Sequence, residues 1–383
     1  MPFMPDVIVA GAGPVGLTAA LSLAEAGVPV MVIEKRQGLS AASLASTLHP
    51  PTLEILDDLG VLGPVMHLGQ RAETIQYRDP EGVFASFDMG GLAGQSRFPF
   101  RLHLEQSHIT PVMLERLRGS PHACVRFGRG VTDVVQDAAG VAVTLEDGTV
   151  VRTGVLLAGD GARSTVRQAL GIGFEGVDYP DRILRLITTD DLERVLPGIA
   201  PVTYLFNGTR SVSFLRMRDC WRIILRVPGE VPEAVALDEA WIAARFEALM
   251  PGVPVPCVAG KDMYGASRRV ASRFRDGRVF LMGDAAHVTS TRGGMNMNCG
   301  VHDAAALAAA IAGGGNLDAV AAARHDVATR LLIPRTDRTV SGGPAWTAHL
   351  REMARDPVAA TAYLHGAAML DMLDRVDRVL GHA

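Results

Sequence analysis

The sequence has few cysteines, no long apolar run and no cluster of basic residues. Its 383 residues include four cysteines that lie far apart, with no C-x-x-C pair and no metal-ligand spacing: Cys124, Cys220, Cys257 and Cys299. This spacing predicts no metal site and indicates ordinary thiols in a reducing compartment. No apolar run approaches the roughly 18 residues that a membrane span needs, and the first predicted strand begins almost at Met1, which leaves no room for a signal peptide. We therefore expect a cytoplasmic protein without membrane insertion.

The charge is nearly balanced, with a formal net charge of −4 and scattered basic residues. Binding to nucleic acid needs a coherent basic face, so nucleic acid is not an expected partner. An apolar content of 48% excludes a disordered chain. The length is enough for a large core and roughly two lobes.

The pattern along the chain predicts an α/β fold, with a Rossmann-type lobe, an interleaved antiparallel β-sheet lobe and C-terminal helices. Residues 6–35 contain a strand, a helix closed by Gly27 and a second strand, which is a complete β–α–β unit. Further helices are predicted at 52–62 and 107–118, a small strand meander at 125–153, and two antiparallel strands at 210–228. We expect a discontinuous dinucleotide lobe at 1–75, 100–180 and 270–325, a sheet lobe at 76–99 and 181–269, and terminal helices at 326–383.

A glycine-rich turn follows the first strand. Gly11, Gly13 and Gly16 form G-x-G-x-x-G at a strand-to-helix junction, and Glu34 ends the second strand 23 residues after Gly11. The glycines allow a tight turn, close approach of a pyrophosphate and close packing of helix on strand, while the acidic residue accepts hydrogen bonds from ribose hydroxyls. The sequence therefore predicts a site for an ADP moiety, which NAD and FAD share, with these neighbouring contacts: Pro14, Val15 and Lys35.

Two further Gly-Asp turns follow predicted strands. Asp160 precedes Gly161 and Arg163, and Asp284 follows the strand that begins at Arg278. Each aspartate alone is also explained as the N-cap of the next helix, which is the commoner role. Only the combination with the glycine-rich turn favours a cofactor site.

The three elements together resemble the single-component FAD-dependent aromatic hydroxylases, the class of para-hydroxybenzoate hydroxylase. They are GAGPVG with Glu34, GDGARSTVR at 159–167, and RVFLMGDAAH at 278–287 with the glycines and Asn298 that follow. The resemblance covers residues 6 to about 310. It implies that FAD is the cofactor, that NADH or NADPH is a transient reductant, and that a flavin C4a-hydroperoxide formed with O2 hydroxylates an electron-rich aromatic or N-heteroaromatic small molecule.

The resemblance also implies roles for individual residues. Asp284 would bind the ribityl and phosphate region of FAD. The helix that starts near Met295 would direct its free N–H groups at the flavin N1 and C2 carbonyl, where reduced flavin is negatively charged. Further contacts with FAD or the nicotinamide are implied at these positions: Gln106, Val131, Asp160, Arg163, Gly294, Asn296 and Asn298.

The sequence departs from the family pattern in two places. Before Gly293 the family usually has a proline that faces substrate and flavin. In this sequence the residues directly before Gly293 are Ser290, Thr291 and Arg292. Near residue 44 the family often has an arginine directed at the FAD phosphates, whereas residues 43–47 are SLAST. The first departure leaves the nature of the substrate pocket open, and the second predicts weaker or redistributed FAD binding.

No acid or base is expected to dominate catalysis, because the flavin supplies the difficult chemistry. His49 and Thr291 are the candidates for a direct role, whereas His287 is expected to be structural. A substrate pocket is predicted around Arg292 and Gly293 and the aromatic residues of the antiparallel strands, although alternating aromatics in a sheet are more often core residues. Those aromatic residues are Tyr204, Phe206, Phe214 and Trp221.

Asn296 stands where the family pattern Gly-Gly-x-Gly-x-Asn has its third glycine. A glycine there suggests either a positive φ or a close approach of the backbone to the flavin, and the second would exclude a side chain. Asparagine tolerates left-handed geometry better than other non-glycine residues, so it fits the first reason. The competing hypothesis is that the Asn296 amide itself contacts flavin or substrate.

Other functions remain open at this point. A flavin-dependent reductase or an epoxidase of a hydrophobic substrate would share the FAD lobe, and the GDP-dissociation inhibitors use a related fold as a non-enzymatic binding protein. A halogenase should carry W-x-W-x-I-P, and the corresponding CWRIILRVP does not match it. The expected partners are a small aromatic substrate and O2, and the expected assembly is a monomer or homodimer.

Overall fold

The structure is a computed structural model that describes residues 3–42, 45–208, 210–341, 343–373 and 381. It has the mixed α/β architecture expected from the sequence. The helices are α1 Pro14–Glu25, α2 Pro50–Asp58, α3 Leu62–Val65, α4 Gln106–Gly119, α5 Thr165–Ala169, α6 Glu233–Ala236, α7 Glu239–Leu249, α8 Asn296–Ala312, α9 Leu317–Val327, α10 Ile333–Ser341, α11 Pro344–Met353 and α12 Pro357–Ala367.

The strands are short and fall into five sheets. They are β1 Val7–Ala10, β2 Val30–Glu34, β3 Thr47–Leu48, β4 Gln70–Ala72, β5 Thr74–Asp79, β6 Gly82–Asp88, β7 Arg101–His103, β8 Ala123–Phe127, β9 Val131–Asp137, β10 Gly140–Leu145, β11 Val150–Thr153, β12 Val155–Ala158, β13 Phe174–Asp178, β14 Arg182–Thr188, β15 Val202–Asn207, β16 Arg210–Arg216, β17 Trp221–Val227, β18 Gly260–Tyr264, β19 Ser267–Ala271, β20 Arg275–Asp276, β21 Val279–Leu281 and β22 His287–Val288.

A six-stranded sheet has the order β20-β21-β12-β1-β2-β8 and is parallel except for the edge strand β20. Strands β1 and β2 consist entirely of buried residues, as expected for parallel strands covered on both faces. Helices α1 and α8 pack closely together beside this sheet. The largest apolar core of the chain therefore holds the strand ends at which the predicted cofactor residues lie.

A seven-stranded sheet has the order β18-β14-β17-β16-β15-β5-β6 and is antiparallel except between β15 and β5. One of its faces packs on α7, with a core that includes Phe214, Ile223 and Phe246. Because side chains alternate between the faces of a sheet, the residues in between point the other way. The parallel pairing of β5 with β15 joins two segments that are far apart in the sequence.

The predicted meander needs one correction. Strands β9, β10 and β11 do form a three-stranded antiparallel sheet, but residues 125–127 belong to β8, which pairs in parallel with β2. Alternation alone does not indicate which sheet a strand joins, so the sequence did not separate these segments.

The lobe boundaries stay a proposal. Strand β5 begins at Thr74, two residues before the proposed boundary at 76, and β13, from the proposed first lobe, pairs with β19. The described part of the chain contains no helix with the length and apolar character of a membrane crossing.

Candidate active site

A cavity of about 850 Å³ lies at the carboxyl ends of the parallel strands, against one face of the seven-stranded sheet. We call its two parts the glycine end, lined by Gly11, Gly13, Glu34, Asp160 and Asp284, and the sheet end, lined by residues of β14–β18, by residues of the segment 288–293 and by Arg101 of β7. Open α/β folds bind ligands at this edge of the sheet.

The first turn of α1 forms one wall of the glycine end. Gly11 has φ +100°, and a Cβ atom there would lie 2.4 Å from the carbonyl oxygen of Gly159. A Cβ on Gly13 would meet nothing within 4 Å, so open space lies directly in front of the helix, beside Pro14 and Val15. Gly16 does not line the cavity. Its missing side chain instead lets the helix approach the oxygen of Gly11, consistent with the packing role predicted for the third glycine.

Glu34 lies at the cavity wall, followed by Lys35. Its Oε2 accepts a hydrogen bond of 2.8 Å from the Ala12 N–H, and its Oε1 accepts one of 2.9 Å from the Arg36 N–H. A carboxylate has about four acceptor positions. The backbone therefore orients Glu34 while leaving acceptor capacity for hydroxyl groups in the cavity.

Asp160 presents a buried acceptor to the same space. Its Oδ2 accepts from the Val166 N–H at 3.2 Å, whereas its Oδ1 has no hydrogen-bond partner among the residues that the structure describes. Burial raises the pKa of this carboxyl group. Buried polar atoms are nearly always paired, so an orphaned one at a cavity wall is a fitting contact for a ligand donor.

Three other predicted contacts differ in their placement. Gln106, whose amide donates to the Ala42 oxygen at 3.2 Å, and Val131 both line the cavity. Arg163 is exposed and lies outside the cavity, so its contact with FAD or the nicotinamide stays a prediction. Residues 43 and 44, part of the segment that replaces the family's arginine, lie outside the described residues.

A chain of hydrogen bonds supports the start of α8 and runs from the exposed Asp284 to the buried Asp303 and Arg324. Asp284 faces the cavity and accepts from the Asn296 amide at 2.8 Å. The Asn296 oxygen contacts His287 Nδ1 at 3.0 Å, and His287 Nε2 lies 2.8 Å from Asp303, which also binds Arg324 at 2.6 Å. Although Asp284 is open to the cavity, the protein encloses it otherwise, and this burial raises the pKa of its carboxyl group.

This chain corrects one hypothesis about Asn296. Among the described residues, Met369 is the one non-glycine residue with a positive φ, and Asn296 is the first residue of α8. Left-handed geometry therefore does not explain the asparagine, whereas the contacts of its amide do. The positive φ values lie just before it, at Gly293 and Gly294.

His287, Cys299 and Asp303 come close enough together to hold a metal ion. However, Arg324 already binds Asp303 and contacts Cys299 Sγ at 3.0 Å. Burial opposes protonation of His287, but Cys299 and Asp303 raise its pKa well above the usual value. We therefore interpret the cluster as a buried ion-pair network, and His287 as a structural residue.

Two residues predicted at the site support it from behind. Asn298 is buried, accepts from the His49 N–H at 2.9 Å, and donates to the Thr47 and Gly294 oxygens at 2.8 and 2.6 Å. His49 Nε2 lies 2.8 Å from the Gly293 oxygen. Because burial lowers its pKa well below the usual value, His49 is neutral and donates this bond. Neither residue lines the cavity, so we correct both direct roles to positioning of the glycine pair.

Strand alternation decides which residues form the sheet end. Tyr204, Ser213, Leu215 and Ile224 face the cavity. Phe214 lies on the opposite face, packed in the core beneath α7, and Trp221 belongs to the same core. Phe206 lies outside the cavity lining, in a cluster of apolar residues with Tyr77 and Tyr204. The predictions of Phe206 and Phe214 as pocket residues are therefore corrected.

Four arginines at the sheet end were not expected from the sequence. Arg185 binds Asp262 through two bonds of 2.8 Å, Arg222 pairs with Glu105, and Arg226 lies 3.6 Å from Asp181. The fourth, Arg101, donates to the Ala367 oxygen at 2.9 Å. A signal for two of them was present, because Arg222, Ile224 and Arg226 share one face of a strand whose other face is apolar.

Arg292 and Thr291 line the cavity next to the glycine pair. The Arg292 guanidinium donates to Ser211 Oγ at 2.7 Å and lies 6.0 and 5.8 Å from the ring centres of Tyr204 and Phe206. Burial, and next the charge of Arg226, lower its pKa to about 10. Burial raises the pKa of the Tyr264 phenol, and its contact with Thr291 offsets only part of this rise. This contact favours a positioning role for the Thr291 hydroxyl group.

Comparison with known proteins identifies the family. Residues 4–332 match the family model described as an FAD binding domain. The para-nitrophenol 4-monooxygenase of Pseudomonas sp. strain WBC-3 is 33% identical over 81% of this chain and 78% of its own length. The 6-hydroxy-3-succinoylpyridine 3-monooxygenase of Pseudomonas putida is 32% identical over 79% of this chain and 77% of its own.

A solved structure agrees with the sequence relatives. The crystal structure of p-nitrophenol 4-monooxygenase from Pseudomonas putida superposes with a TM-score of 0.85 at 28% identity, covering 98% of this chain and 99% of that one. The family model, the sequence relatives and this structure agree, and the cavity lies at the carboxyl ends of the parallel strands, where such folds bind their ligands. The chain therefore belongs to the family of FAD-dependent aromatic hydroxylases, which are flavoprotein monooxygenases.

Proposed function

We propose that the protein uses NADH or NADPH and O2 to hydroxylate an electron-rich aromatic or N-heteroaromatic small molecule. The observation that carries this proposal is the continuity of one cavity from the glycine end to the sheet end. It allows a dinucleotide cofactor at the strand ends to reach a small molecule held against the sheet. The relatives named above act on a nitrophenol and a hydroxypyridine, which supports this substrate class.

The residues at the glycine end suit FAD. Gly11, Gly13 and the start of α1 would hold the pyrophosphate, and Glu34 the ribose. Further contacts are proposed for Pro14, Val15, Lys35, Gln106, Val131, Asp160, Asp284, Gly294, Met295 and Asn296, all of which line the cavity.

FAD, when bound, supplies the redox and oxygen-transfer chemistry. The N–H groups at the start of α8 would stabilise negative charge on the reduced ring. Neutral His49 fixes the Gly293 carbonyl and Asn298 fixes that of Gly294, so the glycine pair keeps one conformation. The aromatic and aliphatic residues of the sheet end would exclude water from the substrate ring.

A panel of phenols, aminophenols and hydroxylated N-heterocycles tests the proposal on the purified protein. We expect a yellow protein that binds one FAD, oxidises NAD(P)H slowly alone and faster with a substrate, and inserts oxygen from ¹⁸O₂ into the product. Incorporation of label from H₂¹⁸O instead would contradict it. A colourless protein that takes up no FAD would favour a binding protein, and NAD(P)H oxidation with transfer of hydride to a substrate but no oxygenated product would favour a reductase.

The cellular location and the oligomeric state are also part of this proposal. We propose a cytoplasmic location, based on the wide spacing of the four cysteines in the sequence. We also propose a monomer or homodimer, for which gel filtration with light scattering is the test.

A further inference from the structure

Arg292 occupies a distinctive place in the cavity wall. It immediately precedes Gly293 and Gly294, the positive-φ pair before α8, and its guanidinium extends to Ser211 on β16. It therefore lies where the proposed flavin position meets the sheet end. A group bound to Arg292 would be close to both.

The charges of the cavity are unevenly distributed. The glycine end combines acidic residues with Lys35 and Arg36, whereas five arginines and one acidic residue line the sheet end: Arg101, Arg185, Arg222, Arg226, Arg292 and Asp262. Even when Glu105 and Asp181 behind this wall are included, these described residues carry an excess of two positive charges. Such a wall favours an anionic ligand over a neutral one of the same shape.

The immediate surroundings of Arg292 disfavour its own charge. Burial, followed by the charge of Arg226, holds the pKa of the guanidinium at about 10, well below its ordinary value. The contacts of its guanidinium include a serine hydroxyl and two aromatic rings. An anion bound here would compensate the cost of burying the cation, because charge-assisted hydrogen bonds are the strong ones in a dry site.

The neighbouring wall suits a planar ring. Tyr204 lines the cavity and stacks on Tyr77, with ring centres 5.3 Å apart. Leu215 and Ile224 provide apolar surface on the same face of the sheet. A flat ring held against these side chains would direct one substituent at Arg292.

We propose that the substrate is an aromatic anion and that Arg292 binds its acidic oxygen, either a carboxylate or a phenolate. This inference rests on the proposed hydroxylase function, and it adds the charge of the substrate and the residue that recognises it. Arg292 thereby becomes a specificity-determining residue of this chain, within the segment 290–292 that departs from the family's usual proline pattern.

Binding to the FAD-loaded protein without NAD(P)H tests the proposal separately from turnover. Two matched pairs of probes are titrated while the flavin absorbance is followed: 4-hydroxybenzoate against neutral 4-hydroxybenzamide, and 4-nitrophenol above its pKa against neutral 4-nitroaniline. The first pair tests a carboxylate, and the second tests a phenolate. We expect the wild type to prefer the anion in at least one pair by about tenfold or more.

The variant Arg292→Met should weaken binding of the preferred anion by about 10- to 100-fold, the range expected for one charge-assisted hydrogen bond or a bidentate pair. Binding of the neutral partner should change by less than about threefold, because its contacts are with the rings and not the charge. Arg194→Met is the matched control, since Arg194 is exposed at the end of the single 3-10 turn Leu192–Arg194 and pairs with Asp191 outside the cavity. It should leave both affinities unchanged.

Equal affinity of the wild type for both members of each pair overturns the inference, and so does an Arg292→Met variant that keeps the anion preference. If Arg292→Met fails to retain FAD, Arg292→Gln is judged by the same criterion. A protein that hydroxylates neutral aromatics and ignores their acids would refute the role of Arg292 but not the proposed function. A protein that binds no FAD would refute the function itself.

Discussion

The two ends of the cavity are built in different ways. The glycine end consists of turns that follow short buried strands, and its groups are backbone N–H donors, short carboxylates and the start of a helix. The sheet end consists of long charged and aromatic side chains that alternate along antiparallel strands. The first is specified by local spacing in the sequence, whereas the second depends on which strands pair and in which register.

Two buried histidines show the same contrast. His287 supports the glycine end beside Asp303, and its pKa is raised despite burial. His103 lies near the sheet end, donates through Nδ1 to the Arg216 oxygen at 2.7 Å, and is flanked by Arg101 and Arg222. Burial and then the arginines lower its pKa to about 4. The buried histidine at the glycine end is thus charged, whereas the one near the sheet end is neutral.

The largest effect is expected from Arg324→Met. Arg324 is fully buried and binds Asp303, Cys299 and the Met372 oxygen. Removing one partner of a buried ion pair leaves the other uncompensated, which should lower the free energy of unfolding by about 3–5 kcal/mol. Urea denaturation measures this. The control Arg330→Met removes an exposed i,i+4 pair with Asp326 and should cost less than about 0.5 kcal/mol. Similar losses in both variants would show that the buried network does not stabilise the glycine end.

Next comes a pH effect at the sheet end. The pKa of His103 in the folded protein is about 4, which is below the ordinary value. Between these two pH values His103 therefore binds a proton in the unfolded chain but not in the folded one. The corresponding stability is present above about pH 6.5 and is lost as the pH falls toward 4, by about 3 kcal/mol at most. His103→Asn should reduce the pH dependence of the unfolding free energy in this interval. His49 and His302, whose pKa values are also lowered, would still contribute. Parallel curves for variant and wild type would contradict a buried neutral His103.

A smaller effect concerns the cofactor directly. Asp284→Ala removes a carboxylate that faces the cavity and should weaken FAD binding by about 1.5–3 kcal/mol, as for one hydrogen bond to a charged group. Flavin fluorescence during FAD titration measures the affinity. Asp284→Asn, which keeps the shape, should lose less. If the alanine variant binds FAD as well as the wild type, Asp284 serves only the turn.

The smallest effect is expected at Asn296. Because its φ is helical and its amide links Asp284 to His287, both Asn296→Gly and Asn296→Val should weaken FAD binding, by about 1 kcal/mol for the lost hydrogen bonds. The titration used for Asp284 applies here. Full affinity of the glycine variant beside failure of the valine variant would revive the backbone hypothesis.

The sequence alone located the glycine end well. Gly11, Glu34 and Asp284 follow strands whose parallel order brings their ends together, so spacing was sufficient to place them at one edge. It failed for Asn298 and His49, which meet across 249 residues of sequence, and for Phe214, because an alternating strand has two faces and only the pairing decides which one meets the cavity. The arginines of the sheet end were missed for the same reason.

The alternation of the seven-stranded sheet has a consequence for how this pocket could be altered. On β17, Arg222, Ile224 and Arg226 face the cavity, while Ile223 and Leu225 face the core beneath α7. Substitution of Ile224 removes no side chain from that core, whereas loss of Arg222 would leave Glu105 without its ion-pair partner. A combinatorial library restricted to the uncharged cavity-facing residues Ser213, Leu215 and Ile224 would thus sample new ligand preferences without breaking that ion pair.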